Sequence, residues 1–453
     1  MFTKTKLAQA CAFTMGLTVL AVNVQADPWT SSPGTKARGM GTAFVAIAND
    51  PSAAWHNPAG LYQMKGGNIS IESGSAPSFE EGAGAIQFSN FEDPITGDNI
   101  DLFYASDWGE MADDNTSTFI SYNSGDGISS GWSLYYYEPY FIEGPAVIGT
   151  EGDSNIDGYI SEEVAIFGGG FSSDLWTSPE KTWFSSFHYG LTLEYVSVDT
   201  EGTDLTYFDG NSESSIDIDE IDVSEGFSGS LGFLASIYKG QSGVNFSPTI
   251  KLGGVYRTET FSSVDETEQT FDGVGVKTSE FFNSKPASWD VGVSANMNIA
   301  SGPSFGLVLL ELAVQQGETE FNSIFTDMNY EKTAVGASLR WILQDSFFQQ
   351  VELRIGSYSQ ESDAYRNDII ALDNIDNADD SQIGMVYPDV DGFTWGLQLA
   401  LSNGLTLEYA SESRDLNNAN TCINSPVTGS CDLTQASSDL NETFQTLAIR
   451  YNW

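Results

Sequence analysis

The sequence predicts an all-β chain: a transmembrane antiparallel β-barrel of about 14 strands with an N-terminal plug in its lumen. Three observations predict this. The first 26 residues read as a secretory signal. No later window approaches the roughly 18 consecutive apolar residues that a membrane helix needs. Short segments of alternating apolar and polar residues, joined by tight turns and long loops, run to a C-terminal aromatic residue. A chain exported without a further helix can still cross a bilayer as a closed barrel, because closure pairs its backbone N–H and C=O groups strand to strand. A soluble secreted β-protein is the competing reading.

The signal, residues 1–26, begins with Lys4 and Lys6 and continues as an apolar stretch from Leu7 to Val24. Val24-Gln25-Ala26 has the small-x-small pattern of a cleavage site, so Asp27 is expected to begin the mature chain. Cys11 lies inside the apolar stretch rather than at its end, which argues against a lipid anchor.

Residues 27–66 do not read as a strand. Residues 34–61 are small, Gly-rich and mildly apolar, with turn signals at Asp50-Pro51 and Asn57-Pro58. Such a segment is too apolar for a solvated tail, and the barrel lumen is the large space available to it. Residues 67–453 then form the barrel, with strands expected at about 67–89, 116–123, 131–138, 160–173, 183–198, 226–238, 244–261, 287–300, 303–315, 331–343, 349–358, 392–401, 404–411 and 442–453. The first is expected to be one strand kinked at Pro77, since both termini should be periplasmic and the count even. The last is the most specific: Leu447, Ile449, Tyr451 and Trp453 share one face, and Thr446, Ala448, Arg450 and Asn452 the other. A terminal aromatic closing such a strand resembles the signal read by the outer-membrane barrel assembly machinery.

Charge follows this topology. The sequence carries 63 acidic and 17 basic residues. Seven long loops (90–115, 139–162, 199–225, 262–286, 316–330, 359–391 and 412–442) hold 45 of the acids, so the outward end is strongly anionic. A surface of that sign excludes nucleic acid, whose phosphates need clustered Lys and Arg. In one loop, Asp153, Asn155 and Asp157 match the opening of an EF-hand-type calcium loop, making calcium the one candidate cofactor. The twelfth position is Val164, where a bidentate Glu belongs. Cys422 and Cys431, nine apart in a polar loop, suggest a small disulfide on the oxidising side of the cell.

The stretch from Ala37 to Gly60 (A-R-G-M-G-x-A-F-V-A-x-A-x-D-P-S-A-x-x-x-N-P-A-G) resembles the N-terminal hatch of the superfamily containing FadL, the toluene transporters and the PorV-type secretion accessories. Asn57, Pro58 and Ala59 match its hatch motif. The close match covers about 30 residues and is specific for the superfamily, less so for the subfamily. The resemblance implies a plugged outer-membrane barrel that takes up hydrophobic compounds passively: long-chain fatty acids, hydrocarbons or aromatics. The alternative within the superfamily is a PorV-like docking barrel, whose loops bind partner proteins. A general diffusion porin fits a plugged lumen poorly. The expected partners are the lipid bilayer, hydrophobic small molecules and, during biogenesis, the assembly machinery.

Candidate ligand-binding residues follow from faces that depart from the barrel pattern. Segment 303–315 is apolar on both sides, so Phe305, Leu307 and Leu309 must cover either ligand or hatch. Phe44, Val45, Ile47 and Trp55 would supply the hatch's side of a dry path. Tyr135, Tyr136 and Tyr137 could belong to an aromatic girdle or line a pocket. Lys251, Arg257, Arg340, Arg354 and Arg450 fall on inward positions. Each could bind a ligand carboxylate or brace the lumen against Glu194, Glu352 or Glu408, with bracing favoured because acids outnumber bases. Arg257, nearest the outer end, is the carboxylate candidate. Enzyme chemistry has little support: Ser186 and His188 share a face, but no orienting group or oxyanion site is indicated.

Overall fold

The computed structural model describes residues 32–75, 83–92, 99–107, 116–139, 141–150, 154–208, 213–216, 222–241, 244–262, 268–271, 274–277, 285–302, 306–322, 327–343, 346–362, 370–371, 382–384, 389–417, 422–424 and 440–453. The signal region lies outside them.

Fourteen antiparallel strands close into a barrel. They are β1 (Lys65–Ser75), β2 (Thr116–Asp126), β3 (Ser130–Glu138), β4 (Ser154–Thr177), β5 (Trp183–Phe208), β6 (Asp222–Tyr238) and β7 (Thr249–Arg257). The circuit continues through β8 (Ala287–Gly302), β9 (Gly306–Asn322), β10 (Asp327–Ile342), β11 (Phe348–Ser362), β12 (Asp389–Leu401), β13 (Leu405–Asn417) and β14 (Leu440–Asn452). Each strand pairs with its neighbour in this order, and β1 closes on β14, with Ile69 opposite Tyr451 and Ile71 opposite Ile449.

Alternation along each strand sets the two faces of the wall. On β3, Trp132 and Leu134 point outward while Ser133, Tyr135 and Tyr137 are buried in the lumen. On β14, Leu447, Ile449 and Tyr451 are exposed while Thr446 and Ala448 are buried. Exposed Ile, Leu, Val, Phe and Trp recur around the wall, and in a closed barrel such a belt is the surface that meets lipid. This is an outer-membrane architecture. The short-turn end, periplasmic in barrels of this class, includes the Asp126–Ser130 turn. There the Ser129 hydroxyl and the Ser130 amide hold the Asp126 carboxyl well below the usual carboxylate range.

Several strand boundaries differ from expectation. The first strand is described over Lys65–Ser75, and Pro77, where a kink was expected, lies outside the described residues. Ala83–Glu92 and Asn99–Asp107 pair as a hairpin of their own, and Leu102–Ala105 pairs onward with Val147–Thr150. Phe141–Thr150 pairs with β4 within the expected loop 139–162. The strands β4 and β5 run 24 and 26 residues, well past the ~10 that cross a membrane. Backbone pairing does not need an apolar face once the chain is in water, so acidic composition marked where the membrane ends but not where the ladder ends. In the other direction, β7 begins at Thr249 rather than 244, because residues 244–248 belong to a longer periplasmic turn.

The N-terminal segment, residues 32–64, lies against the inward faces of the wall strands. Helix α1 (Thr35–Gly39), helix α2 (Ala53–His56) and a 3-10 turn (Pro58–Gln63) are joined by turns. Met40, Phe44, Ile47, Ala54 and Leu61 are almost wholly shielded. Each large apolar side chain so buried contributes about 1.5–3 kcal/mol, and no helix longer than a turn or two is needed to place them.

Candidate functional site

Glycines in the wall seat this segment. A Cβ at Gly131 would lie 2.2 Å from the Leu61 carbonyl oxygen, at Gly190 2.2 Å from the Ala59 nitrogen, and at Gly253 2.5 Å from the Val45 carbonyl oxygen. At Gly336 it would lie 2.4 Å from the Met40 carbonyl oxygen, and at Gly356 2.1 Å from the Gly41 nitrogen. All five neighbours are backbone atoms, so any side chain at these positions would displace the segment. Glycine inside a strand marks such a close backbone approach. The sequence therefore carried this signal, although alternation alone did not draw attention to it.

Polar anchors complete the seat. Glu72 on β1 accepts hydrogen bonds from Gly34 N (3.0 Å), Thr35 N (2.8 Å) and Thr35 Oγ1 (2.8 Å), satisfying free amides at the start of α1. Gln315 Oε1 on β9 accepts from Phe44 N and Val45 N, both at 2.9 Å. The Asn-Pro-Ala motif has a direct structural reason. Asn57 Nδ2 donates to the carbonyls of Val45 (2.8 Å) and Phe233 (2.9 Å), and its Oδ1 accepts from Ala59 N (3.1 Å). One side chain thus ties two stretches of the segment to strand β6, while Pro58 opens the 3-10 turn.

Most inward bases brace the lumen. Arg340 bridges to Glu352 (2.7 Å), Arg354 to Glu352 (3.0 Å) and Glu408 (2.9 Å), and Arg450 to Glu408 (2.9 Å). The segment inserts its own cation here: Lys36 lies 3.0 Å from Glu311 and 3.7 Å from Glu352. Lys251 donates to Gln63. Tyr135 bonds to Glu194 and Tyr137 packs edge-on against Trp55, so both line the lumen, while Tyr136 packs beside Phe167, an exposed ring.

On the outward side of the segment lies a cavity of about 80 Å³. Thr42, Trp55 and His56 form its floor, and Arg257, Lys285, Asp290 and Lys332 surround it. Arg257 donates to Asp290 (2.7 Å) and to the carbonyls of Trp55 (3.2 Å) and His56 (2.8 Å). Lys285, from the chain just before β8, pairs with Glu194 and sits 4.3 Å over the Trp55 ring. Lys332 has no ion pair or hydrogen bond among the described residues; its ammonium lies 4.7 Å from the Tyr358 ring centroid. The buried Thr42 hydroxyl is also without a partner there. Arg257 and Lys285 are each paired, with Asp290 and Glu194, which leaves the Lys332 ammonium and the Thr42 hydroxyl as the groups without a partner among the described residues. This arrangement can accept a small anionic group.

The remaining candidates fall elsewhere. Phe44, Val45 and Ile47 are shielded to within 1% of full burial, packed against the segment and wall rather than facing open space. Leu307 and Leu309 are half-buried and share the inward face of β9 with Glu311, Ala313 and Gln315. They lie periplasmic to the level at which Lys36 and Phe44 meet that strand; Phe305 is outside the described residues. Asn155 and Asp157 lie in the β4 ladder opposite Gly149 and Val147, an extended arrangement instead of a metal-binding turn, and Asp153 is outside the described residues. Among the described residues no group of three or more metal-ligating side chains occurs. Cys422 begins a short strand paired with Gln382–Gly384, and Cys431 is outside the described residues. The His188 ring stacks on Tyr62 at 3.5 Å, and its Nδ1 has no partner among the described residues. Lys285, Lys332 and Gln315 carry no local sequence signal, because only the fold brings them to one cavity, and the same holds for Lys36 beside Glu311.

The chain is similar to FadL-type and toluene-transporter barrels. A FadL homologue from Pseudomonas aeruginosa aligns over 93% of this chain and 98% of its own, at 10% identity and a TM-score of 0.46. The toluene transporter TodX from P. putida aligns over 93% and 99%, at 11% identity and 0.48. The toluene transporter TbuX from Ralstonia pickettii aligns over 93% and 99%, at 11% identity and 0.37. No family model and no curated protein matches the chain. At these scores the likeness carries no argument about ligand, and the strand circuit and lumen geometry stand on their own.

Proposed function

We propose that this protein is an outer-membrane channel for passive uptake of hydrophobic compounds, and that it takes those with an acidic head, such as long-chain fatty acids, ahead of hydrocarbons and aromatics. The cavity above the N-terminal segment carries this reading, with its unpaired Lys332 ammonium and unsatisfied Thr42 hydroxyl beside the Trp55 ring. In this reading residues 27–66 act as the hatch, and the cavity receives the head group while the acyl chain stays toward the outer end. Leu307 and Leu309 lie farther along the same wall, where an apolar ligand would pass after the hatch yields.

Lys332→Gln tests the assignment. It removes the free charge without touching the seat of the segment. A charge-assisted hydrogen bond contributes about 1.5–3 kcal/mol, so affinity for a long-chain acid should fall roughly 10- to 100-fold in calorimetry with the purified barrel. Affinity for the matching alcohol should stay as in the wild type. Equal acid affinity in both proteins would remove the cavity from the path. A wild type that binds neither acids, alcohols nor hydrocarbons would leave the docking-barrel alternative in its place.

A further inference from the structure

The positive charge of this acidic protein is concentrated inside it. Among the described residues, ten basic side chains lie in the lumen, Lys36, Arg257, Lys285, Arg340 and Arg354 among them. Among residues whose side chains the structure describes, only Lys65, Lys181 and Lys239 lie outside the lumen, and all three are at the periplasmic rim. Lys181 and Lys239 stand together, on the turn between β4 and β5 and on the adjoining turn between β6 and β7. Lys239 N donates to the Thr182 carbonyl (2.7 Å) and Lys239 Nζ to the Pro179 carbonyl (2.8 Å), so the two turns form one surface. Glu180 is the one acid in these two turns.

Aromatic residues flank the lysines. Lys181 Nζ lies 5.1 Å from the Trp176 ring centroid. Phe184 and Phe246 are 60% and 70% exposed, more than most of the lipid-facing belt. Both have left-handed backbones, φ 49° and 60°, and they are two of only four non-glycine residues with positive φ among the described residues. A bulky residue in that region is an outlier that the surroundings must enforce. Phe246 N is held by the Asn298 carbonyl at 2.7 Å, which fixes that turn against β8. Nothing in barrel closure calls for two strained, exposed phenylalanines beside two lysines. An amphiphile with a negative head does: rings contact acyl chain and ammonium groups contact phosphate.

We propose that Trp176, Lys181, Phe184, Lys239 and Phe246 form a binding site for an anionic phospholipid of the periplasmic leaflet, its phosphate between the two ammonium groups and its acyl chains against the rings. The site would fix the depth of the barrel at that rim by joining it to an anionic leaflet.

Native mass spectrometry of the purified full chain with equimolar phosphatidylglycerol and phosphatidylcholine tests this, with heat-modifiable migration confirming a folded barrel for every variant. The wild type should retain phosphatidylglycerol several-fold over phosphatidylcholine. Lys181→Gln with Lys239→Gln should erase the preference, while Lys181→Arg with Lys239→Arg, and Lys65→Gln alone, should keep it. No preference in the wild type, an undiminished preference in the double glutamine variant, or an equal loss in Lys65→Gln would each overturn the site. A periplasmic protein captured by the wild type and lost in the double glutamine variant, with no lipid preference in either, would assign the patch to a protein partner and also overturn the proposal.

Discussion

Gly356→Ala isolates the seating of the N-terminal segment with a single methyl group. In the structure that methyl would stand 2.1 Å from Gly41 N, 2.2 Å from the Met40 carbonyl carbon and 2.6 Å from its oxygen. Non-bonded carbon atoms rest at about 3.5–4.0 Å, so relief demands a movement of more than about 1 Å. The wall cannot supply it, since β11 is hydrogen-bonded along both edges to β10 and β12. The segment must therefore lift. Overpacking of this kind costs about 1–3 kcal/mol. The lift also breaks the 2.8 Å bond from Gly41 N to Thr394 Oγ1, and leaving that buried amide unsatisfied costs about 1–3 kcal/mol more. A loss of a few kcal/mol confined to the segment should release it from the lumen part of the time while the barrel stays closed. Single-channel recording in planar bilayers should then show higher mean conductance and frequent opening events, and heat-modifiable migration should show an intact barrel. Gly169→Ala is the control: its methyl would meet the movable Leu134 side chain at 3.3 Å and should change nothing. Wild-type conductance in Gly356→Ala, or equal opening in Gly169→Ala, would refute the seating argument.

Two further outcomes follow from the lumen. Lys36→Met takes the segment's cation from Glu311 and Glu352, which keep Arg340 and Arg354, and losing one charge-assisted hydrogen bond costs about 1.5–3 kcal/mol, so thermal release of the segment should occur at lower temperature in calorimetry. Leu307→Asn with Leu309→Asn makes the inward face of β9 polar on the periplasmic side of the segment while Val308 and Leu310 remain apolar. Assembly should be unaffected and uptake of hydrophobic compounds into proteoliposomes should fall; unchanged uptake of all compounds would take these leucines off the route.

How much was legible in the sequence differs between wall and lumen. The period-two alternation of β14, with Leu447, Ile449 and Tyr451 outward, is a local property, because a strand's side chains alternate whatever it pairs with. The same holds for the strand count, since each crossing must present one apolar face to lipid. The ends of β4 and β5 were not legible, because a ladder in water continues without an apolar face. Asn57 was legible as part of a motif, yet its three hydrogen bonds were not, because two of its partners, Val45 and Phe233, are brought to it by the fold.

By itself, then, the sequence determined an exported barrel with an anionic outer end and an apolar, glycine-rich N-terminus. Those features depend on composition and on spacing between near neighbours. Only the tertiary structure decided which glycines of the wall face the segment and how Lys36, 275 residues from Glu311, comes to pair with it. It also decided that Thr42, Arg257, Lys285 and Lys332 line one cavity. The physical reason is barrel closure: it converts strand order into a circle, and residues far apart in the chain become neighbours across a lumen whose dimensions no local pattern encodes.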